Sequence, residues 1–149
     1  MSQPLALNAD RKIIRSRTAG EISYYCDSSV PGIPLLLLHS INAAPSAIEI
    51  KPLFEYFREY RPVYAPELPG FGFSDRSNRN YNRELYKSAI IDFQKEVIGS
   101  SSDIMALSLS SEFAAEATFN TSFRSLAMIS PTGLDQRERT SKKTSHHIT

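Results

Sequence analysis

Ile104-Met105-Ala106-Leu107-Ser108-Leu109-Ser110-Ser111 is an apolar quartet that runs straight into a serine-rich stretch. Four consecutive apolar residues with no alternation suit a strand covered on both faces, as in a parallel sheet. Phe113, Ala114 and Ala117 then share one face of a short helix. The serines therefore fall at a strand-to-helix junction. A nucleophile at Ser108 has to present its hydroxyl from a very tight turn, which demands small residues two positions to either side. Ala106 and Ser110 meet that demand. The usual pattern is G-x-S-x-G, so slightly larger residues replace both flanking glycines. A helix starting after Ser108 also aims free N–H groups at developing negative charge. The competing reading makes Ser108, Ser110 and Ser111 ordinary helix caps. On these residues by themselves the cap is the favoured reading.

Two more apolar quartets, Leu35–Leu38 and Leu126–Ile129, repeat the strand signal, and Pro62-Val63-Tyr64-Ala65 is a weaker fourth. Successive strand starts at 35, 62, 104 and 126 are 27, 42 and 22 positions apart, and each interval holds one amphipathic helix pattern. The first helix carries Leu53, Phe54 and Phe57 on one face. The second carries Tyr86, Ala89, Ile90, Phe93 and Val97, with Asn82 as N-cap, Glu84 in the first turn and Gly99 beyond its end. Strand–helix–strand repeated three times predicts an α/β protein with a mostly parallel sheet and flanking helices. Ahead of it, Glu21–Cys26 reads as an antiparallel edge strand. Residues 1–20 are expected to form an arm or one edge strand, residues 21–134 the core, and residues 135–149 a polar, disordered tail.

The chain has 149 residues, enough for one domain. Lys plus Arg is 17 and Asp plus Glu is 16. That balance argues against a nucleic-acid or anionic-membrane partner, which requires a basic excess. The longest apolar stretch, Ile33 to Leu38 around Pro34, falls far short of the ~20 residues of a spanning helix. No basic flank leads into an apolar block at the start, so no secretory signal is read there. The one cysteine, Cys26, excludes an internal disulfide and a thiolate metal cluster. A cytoplasmic protein without metal or cofactor is the expectation.

Two loops add chemistry. His39-Ser40-Ile41-Asn42 follows the most hydrophobic strand, at the carboxyl end where ligands gather in open α/β sheets. Its N–H groups are placed to supply half of an oxyanion hole, while His39 reads as a hydrogen-bonded structural histidine and Asn42 equally as a turn residue. Glu67-Leu68-Pro69-Gly70-Phe71-Gly72-Phe73-Ser74-Asp75 has two glycines but lacks the third of a dinucleotide loop. The next helix also starts too late to cradle a phosphate. We read it instead as a rigid turn that lets backbone pass close to a neighbour.

In this order, an edge strand, LLLLHS, PELPGFGFSD, IMALSLSS and SLAMISPTG, residues 21–134 resemble the α/β-hydrolase family. Members commonly show H-G after the third strand, D-x-P-G-x-G-x-S-D after the fourth and G-x-S-x-G after the fifth. The PGFGFSD loop is the most specific match. The resemblance implies the N-terminal portion of an α/β-hydrolase fold, with Ser108 as nucleophile and the Ile41 and Leu109 N–H groups as oxyanion donors. The implied activity is hydrolysis of a small ester or similar acyl substrate through an acyl-serine. Ser40, Ala106, Ser110 and Glu67 depart from the pattern, Glu67 with an expected effect on local hydrogen bonding only.

In the family the catalytic acid and histidine follow the sixth strand, so the chain is expected to be truncated there. Asp135 is a weak acid candidate. No catalytic histidine is found: His39 sits in the oxyanion loop, and nothing apolar anchors His146 or His147. Loss of the histidine from such a triad costs on the order of 10⁶ in turnover. An oxyanion hole and binding surface retain roughly 10³–10⁴ over water. Alone, the chain is expected to be a very weak catalyst or none. The alternatives are a non-catalytic remnant or interaction domain, or half of a split hydrolase. The sixth strand is expected to be an uncovered apolar edge, prone to self-association.

Overall fold

The computed structural model describes residues 4–41 and 47–130. Strands β1 (Asp10–Ser16), β2 (Gly20–Asp27), β3 (Leu35–Leu38), β4 (Val63–Pro66), β5 (Ser102–Leu107) and β6 (Phe123–Ile129) form one sheet in the order β1-β2-β4-β3-β5-β6. β3 pairs parallel with β4 and β5, and β5 parallel with β6, whereas β2 is antiparallel to both β1 and β4. Helices α1 (Lys51–Phe57), α2 (Arg83–Phe93) and α3 (Ser110–Ala117) fill the three crossovers. These are the elements that the apolar quartets and the helix patterns between them predict.

One placement differs. Glu21–Cys26 lies inside β2, which is the second strand and not the edge. The edge is β1, paired with β2 at every position from Asp10↔Cys26 to Ser16↔Gly20. Its many charged residues hide a strand that needs little apolar content, because one margin faces water.

β3 explains why unbroken leucines belong at the centre. All four are buried, and successive side chains point to opposite faces. Leu36 and Leu38 meet Ile104, Ala106, the α2 residues Ala89, Ile90 and Phe93, and Phe113 and Ala114 of α3. Leu35 and Leu37 meet Val63, Ala65, Tyr25 and the α1 residue Phe54 on the other side. At roughly 1.5–3 kcal/mol per buried leucine, this strand anchors both layers. β6 behaves differently although its quartet looks similar. It is the last strand among the described residues, and Met128 is 52% exposed.

The α2 boundaries follow local chemistry. The Asn82 side chain accepts the Leu85 N–H at 3.0 Å, capping the first turn. Past Phe93 the helix widens into a π turn over Gln94–Ile98, ended by Gly99 at φ 72°, whose N–H donates to the Gln94 carbonyl. Widening lets the buried Gln94 amide donate to Ser100 and Ser122 carbonyls while its Oε1 accepts from Ser102.

At the amino end of β5, Asp103 ties its own strand to β6 and to the segment that leads into β4. Its carboxylate accepts from Arg61 at 2.6 Å, from Arg124 at 2.9 and 2.6 Å, and from the Ser125 hydroxyl at 2.7 Å. The Arg124 guanidinium foremost holds this carboxyl well below the usual aspartate range, against the opposing effect of burial. Its contribution to stability is complete above the unfolded aspartate pKa of about 3.9 and is lost as pH falls through the depressed folded value. Asp103→Asn is expected to cost about 2 kcal/mol at neutral pH, the half-exposed Arg124 keeping it below a fully buried pair. It should also flatten the acid limb of a urea-midpoint profile. An unchanged midpoint at pH 7 would refute this.

Candidate active site

Ser108 follows β5 directly and adopts φ 55°, one of two non-glycine residues with positive φ among those described. That left-handed conformation reverses the chain between strand and helix, at a cost of about 1–2 kcal/mol for a residue with a β-carbon. Its N–H donates to the Ile129 carbonyl at 2.8 Å, and its carbonyl accepts the Ser111 N–H at 3.0 Å. Ala106 and Ser110, two positions to either side, are fully buried. The space there admits only small side chains.

The helix-cap reading fails on geometry. The residue at the α3 N-cap position is Leu109, with no side-chain cap bond. The Ser110 and Ser111 hydroxyls donate backward, to the Leu107 carbonyl at 2.7 Å and the Ala106 carbonyl at 3.0 Å. The Ser108 hydroxyl, partly exposed, has no hydrogen-bond partner among the described residues. Ser108→Gly is expected to stabilise the fold by about 1 kcal/mol, since glycine takes positive φ freely. A capping serine would instead lose a few tenths on the same change. Denaturant titration separates the two by sign.

β3 lies against β5 with Leu38 opposite Ala106. Ile41, three residues beyond Leu38, and Ser108, two beyond Ala106, therefore leave the same carboxyl edge of adjacent strands. The Ile41 and Leu109 side chains pack against the same core cluster. Neither backbone N–H meets an acceptor among the described residues. Asn42, Asp135, His146 and His147 lie outside the described residues.

His39 is a buried structural histidine, as its position in the loop suggests. The Leu68 N–H donates to Nε2 at 2.9 Å, so the ring proton sits on Nδ1 and is donated to the Ser40 carbonyl at 2.7 Å. Burial holds the imidazole below the usual histidine range. With both nitrogens engaged, it has none left to take a proton from Ser108.

The loop after β4 supports this arrangement from beneath. Glu67 N–H donates to the Ser23 carbonyl, Asp75 N–H to the Glu21 carbonyl, and the Ser74 hydroxyl bridges the Glu67 carbonyl and the Ser23 N–H. The loop is thereby stitched to β2. Gly72, at φ 55°, lies against the Glu67 carboxylate, which accepts the Phe73 N–H. Burial pushes that carboxyl up, opposed by the Phe73 N–H. This is the close backbone approach expected of the two glycines.

The sequence reading missed Glu49. Its Oε1 accepts the Ser40 N–H and its Oε2 the Ser40 hydroxyl, both at 2.7 Å. The usable signal was Ser40 itself: a buried hydroxyl in place of glycine needs a partner.

No family model and no curated protein matches the sequence. Solved structures similar to this chain include a meta-cleavage product hydrolase from Pseudomonas fluorescens, with 26% identity, 78% of this chain and 43% of that one covered, and a TM-score of 0.66. An esterase from Thermogutta terrifontis shares 21% identity, over 80% and 45% of the two chains, with a TM-score of 0.67. An N-acyl homoserine lactonase shares 23% over 82% and 45%, with a TM-score of 0.72. The chain spans less than half the length of each. On this sheet order and these likenesses, the chain has the α/β-hydrolase fold, of which it presents an N-terminal portion.

Proposed function

We propose that the chain carries the nucleophile and oxyanion portion of a serine hydrolase acting on a small ester or similar acyl compound. The observation that supports this most directly is Ser108 at φ 55°, with its hydroxyl unengaged by the described residues at the strand-to-helix turn. Ser108 Oγ attacks the acyl carbon as its proton passes to a base, and the Ile41 and Leu109 N–H groups stabilise the oxyanion. Collapse of the tetrahedral species expels the alcohol and leaves an acyl-serine, which water then hydrolyses.

Among the described residues no histidine is free to act as that base. His39 is occupied on both nitrogens, an observation that favours a second reading: a non-catalytic domain, or half of a site whose histidine comes from elsewhere. A fluorophosphonate probe discriminates. The expected result is slow labelling of the folded chain at Ser108, abolished in Ser108→Ala. Folded protein that takes no label favours the non-catalytic domain, and labelling that appears only with a histidine-bearing partner favours the split site.

A further inference from the structure

We infer that His39 is the positioning residue of this site's oxyanion donor: by holding the Ser40 carbonyl, its Nδ1–H aims the N–H of Ile41. This rests on the serine-hydrolase reading and adds what sets the donor's direction. The peptide unit joining Ser40 to Ile41 is trans and planar, so its C=O and N–H point opposite ways. Whatever fixes the carbonyl fixes the N–H. The carbonyl is held at 2.7 Å by Nδ1.

The ring has no freedom to turn. A backbone N–H only donates, so the Leu68 bond at 2.9 Å obliges Nε2 to accept and leaves the hydrogen on Nδ1. Phe71 closes on the ring edge-on, with centroids 5.0 Å apart, and the ring is wholly buried. The preceding peptide unit is fixed as well, because Glu49 accepts the Ser40 N–H. Both peptide planes flanking Ser40 are thus clamped, and the Ile41 N–H meets no acceptor among the described residues. A donor clamped before substrate arrives needs no reorganisation during reaction. Histidine serves here through its shape and its two unlike nitrogens, not as a base.

Two measurements test this. In the wild-type chain, nitrogen NMR of the His39 ring at neutral pH is expected to show a protonated Nδ1 and a bare Nε2, with any titration below that of a free imidazole. A proton on Nε2 in the neutral ring, or a ring that titrates at or above the free-imidazole value, overturns the inference without any variant. In fluorophosphonate inactivation kinetics, His39→Asn is expected to lower the maximal rate about 10–100-fold while leaving the probe's binding constant unchanged, approaching the loss of one oxyanion donor. Phe71→Leu, which loosens the packing but keeps both hydrogen bonds, should change that rate by less than about threefold. An unaltered rate in folded His39→Asn removes the role of His39 and leaves the hydrolase reading standing. Failure of the wild-type chain to label removes that reading and this inference with it.

Discussion

His39→Ala is expected to lose about 4 kcal/mol or more of folding stability, a large share of what a small domain holds. Three losses add. The imidazole is wholly buried, so its removal leaves a cavity costing about 2 kcal/mol. The Leu68 N–H, at a buried residue, loses its partner at roughly 1–3 kcal/mol, and the Ser40 carbonyl loses the Nδ1–H bond, worth about 1 kcal/mol. Small domains hold only about 5–15 kcal/mol in total. The sign of the pH effect follows from the lowered pKa of this ring. Below about pH 6.5 the unfolded chain binds a proton that the native ring refuses. Stability is therefore full above that pH and falls as acid is added, down to the depressed native value. Urea midpoints at pH 7.5 and 5.5, for wild type and for the smaller-cavity variant His39→Gln, check both halves. A wild-type midpoint no lower at pH 5.5 than His39→Gln predicts would sink the neutral-ring account.

Gly72→Ala carries the next largest effect, about 3 kcal/mol. A β-carbon there would fall 1.4 Å from Glu67 Oε2 and 2.5 Å from Oε1, inside covalent contact, at a backbone φ of 55°. The carboxylate is only 1% exposed and is held by the Phe73 N–H, so it does not swing away cheaply. Gly70→Ala is the control. Its β-carbon would meet Tyr81 Cε1 at 2.9 Å, but that ring is 38% exposed and free to yield, so about 1–2 kcal/mol is expected, mostly from the positive φ. Adding Glu67→Asp, one methylene shorter, should recover at least about 1 kcal/mol of the Gly72→Ala loss, which a double-mutant cycle measures. Simple additivity would mean that the clash is not the cause.

The strands at 35–38, 63–66 and 102–107 were legible because a parallel sheet buries both faces of its interior strands, and unbroken apolar runs have few other uses; the strand at 123–129 carries the same apolar signal although none of its residues is fully buried. The N-cap at Asn82 and the close approach at Gly72 were legible because each is a local requirement on one residue type. β1 was legible only as one of two alternatives, an arm or an edge strand within residues 1–20, since a charged margin strand such as Asp10–Ser16 differs little in composition from a solvated arm. Glu49 was not legible, since its bond to Ser40 spans nine positions with no periodic signal. The serines of residues 108–111 sit between these cases. Their composition favoured a helix cap, whereas the positive φ at Ser108 and the backward bonds of Ser110 and Ser111 mark a tight strand-to-helix turn rather than an ordinary helix start.

The sheet order bears on how the chain is made. β2 and β3 are consecutive in sequence, yet β4 lies between them in the sheet. While synthesis proceeds from the amino end, the Leu35–Leu38 quartet has neither lateral neighbour until residue 66 has emerged, and only one until residue 107 has. For that interval the most water-averse segment of the nascent polypeptide is bare, which marks it as the place where a ribosome-associated chaperone would engage.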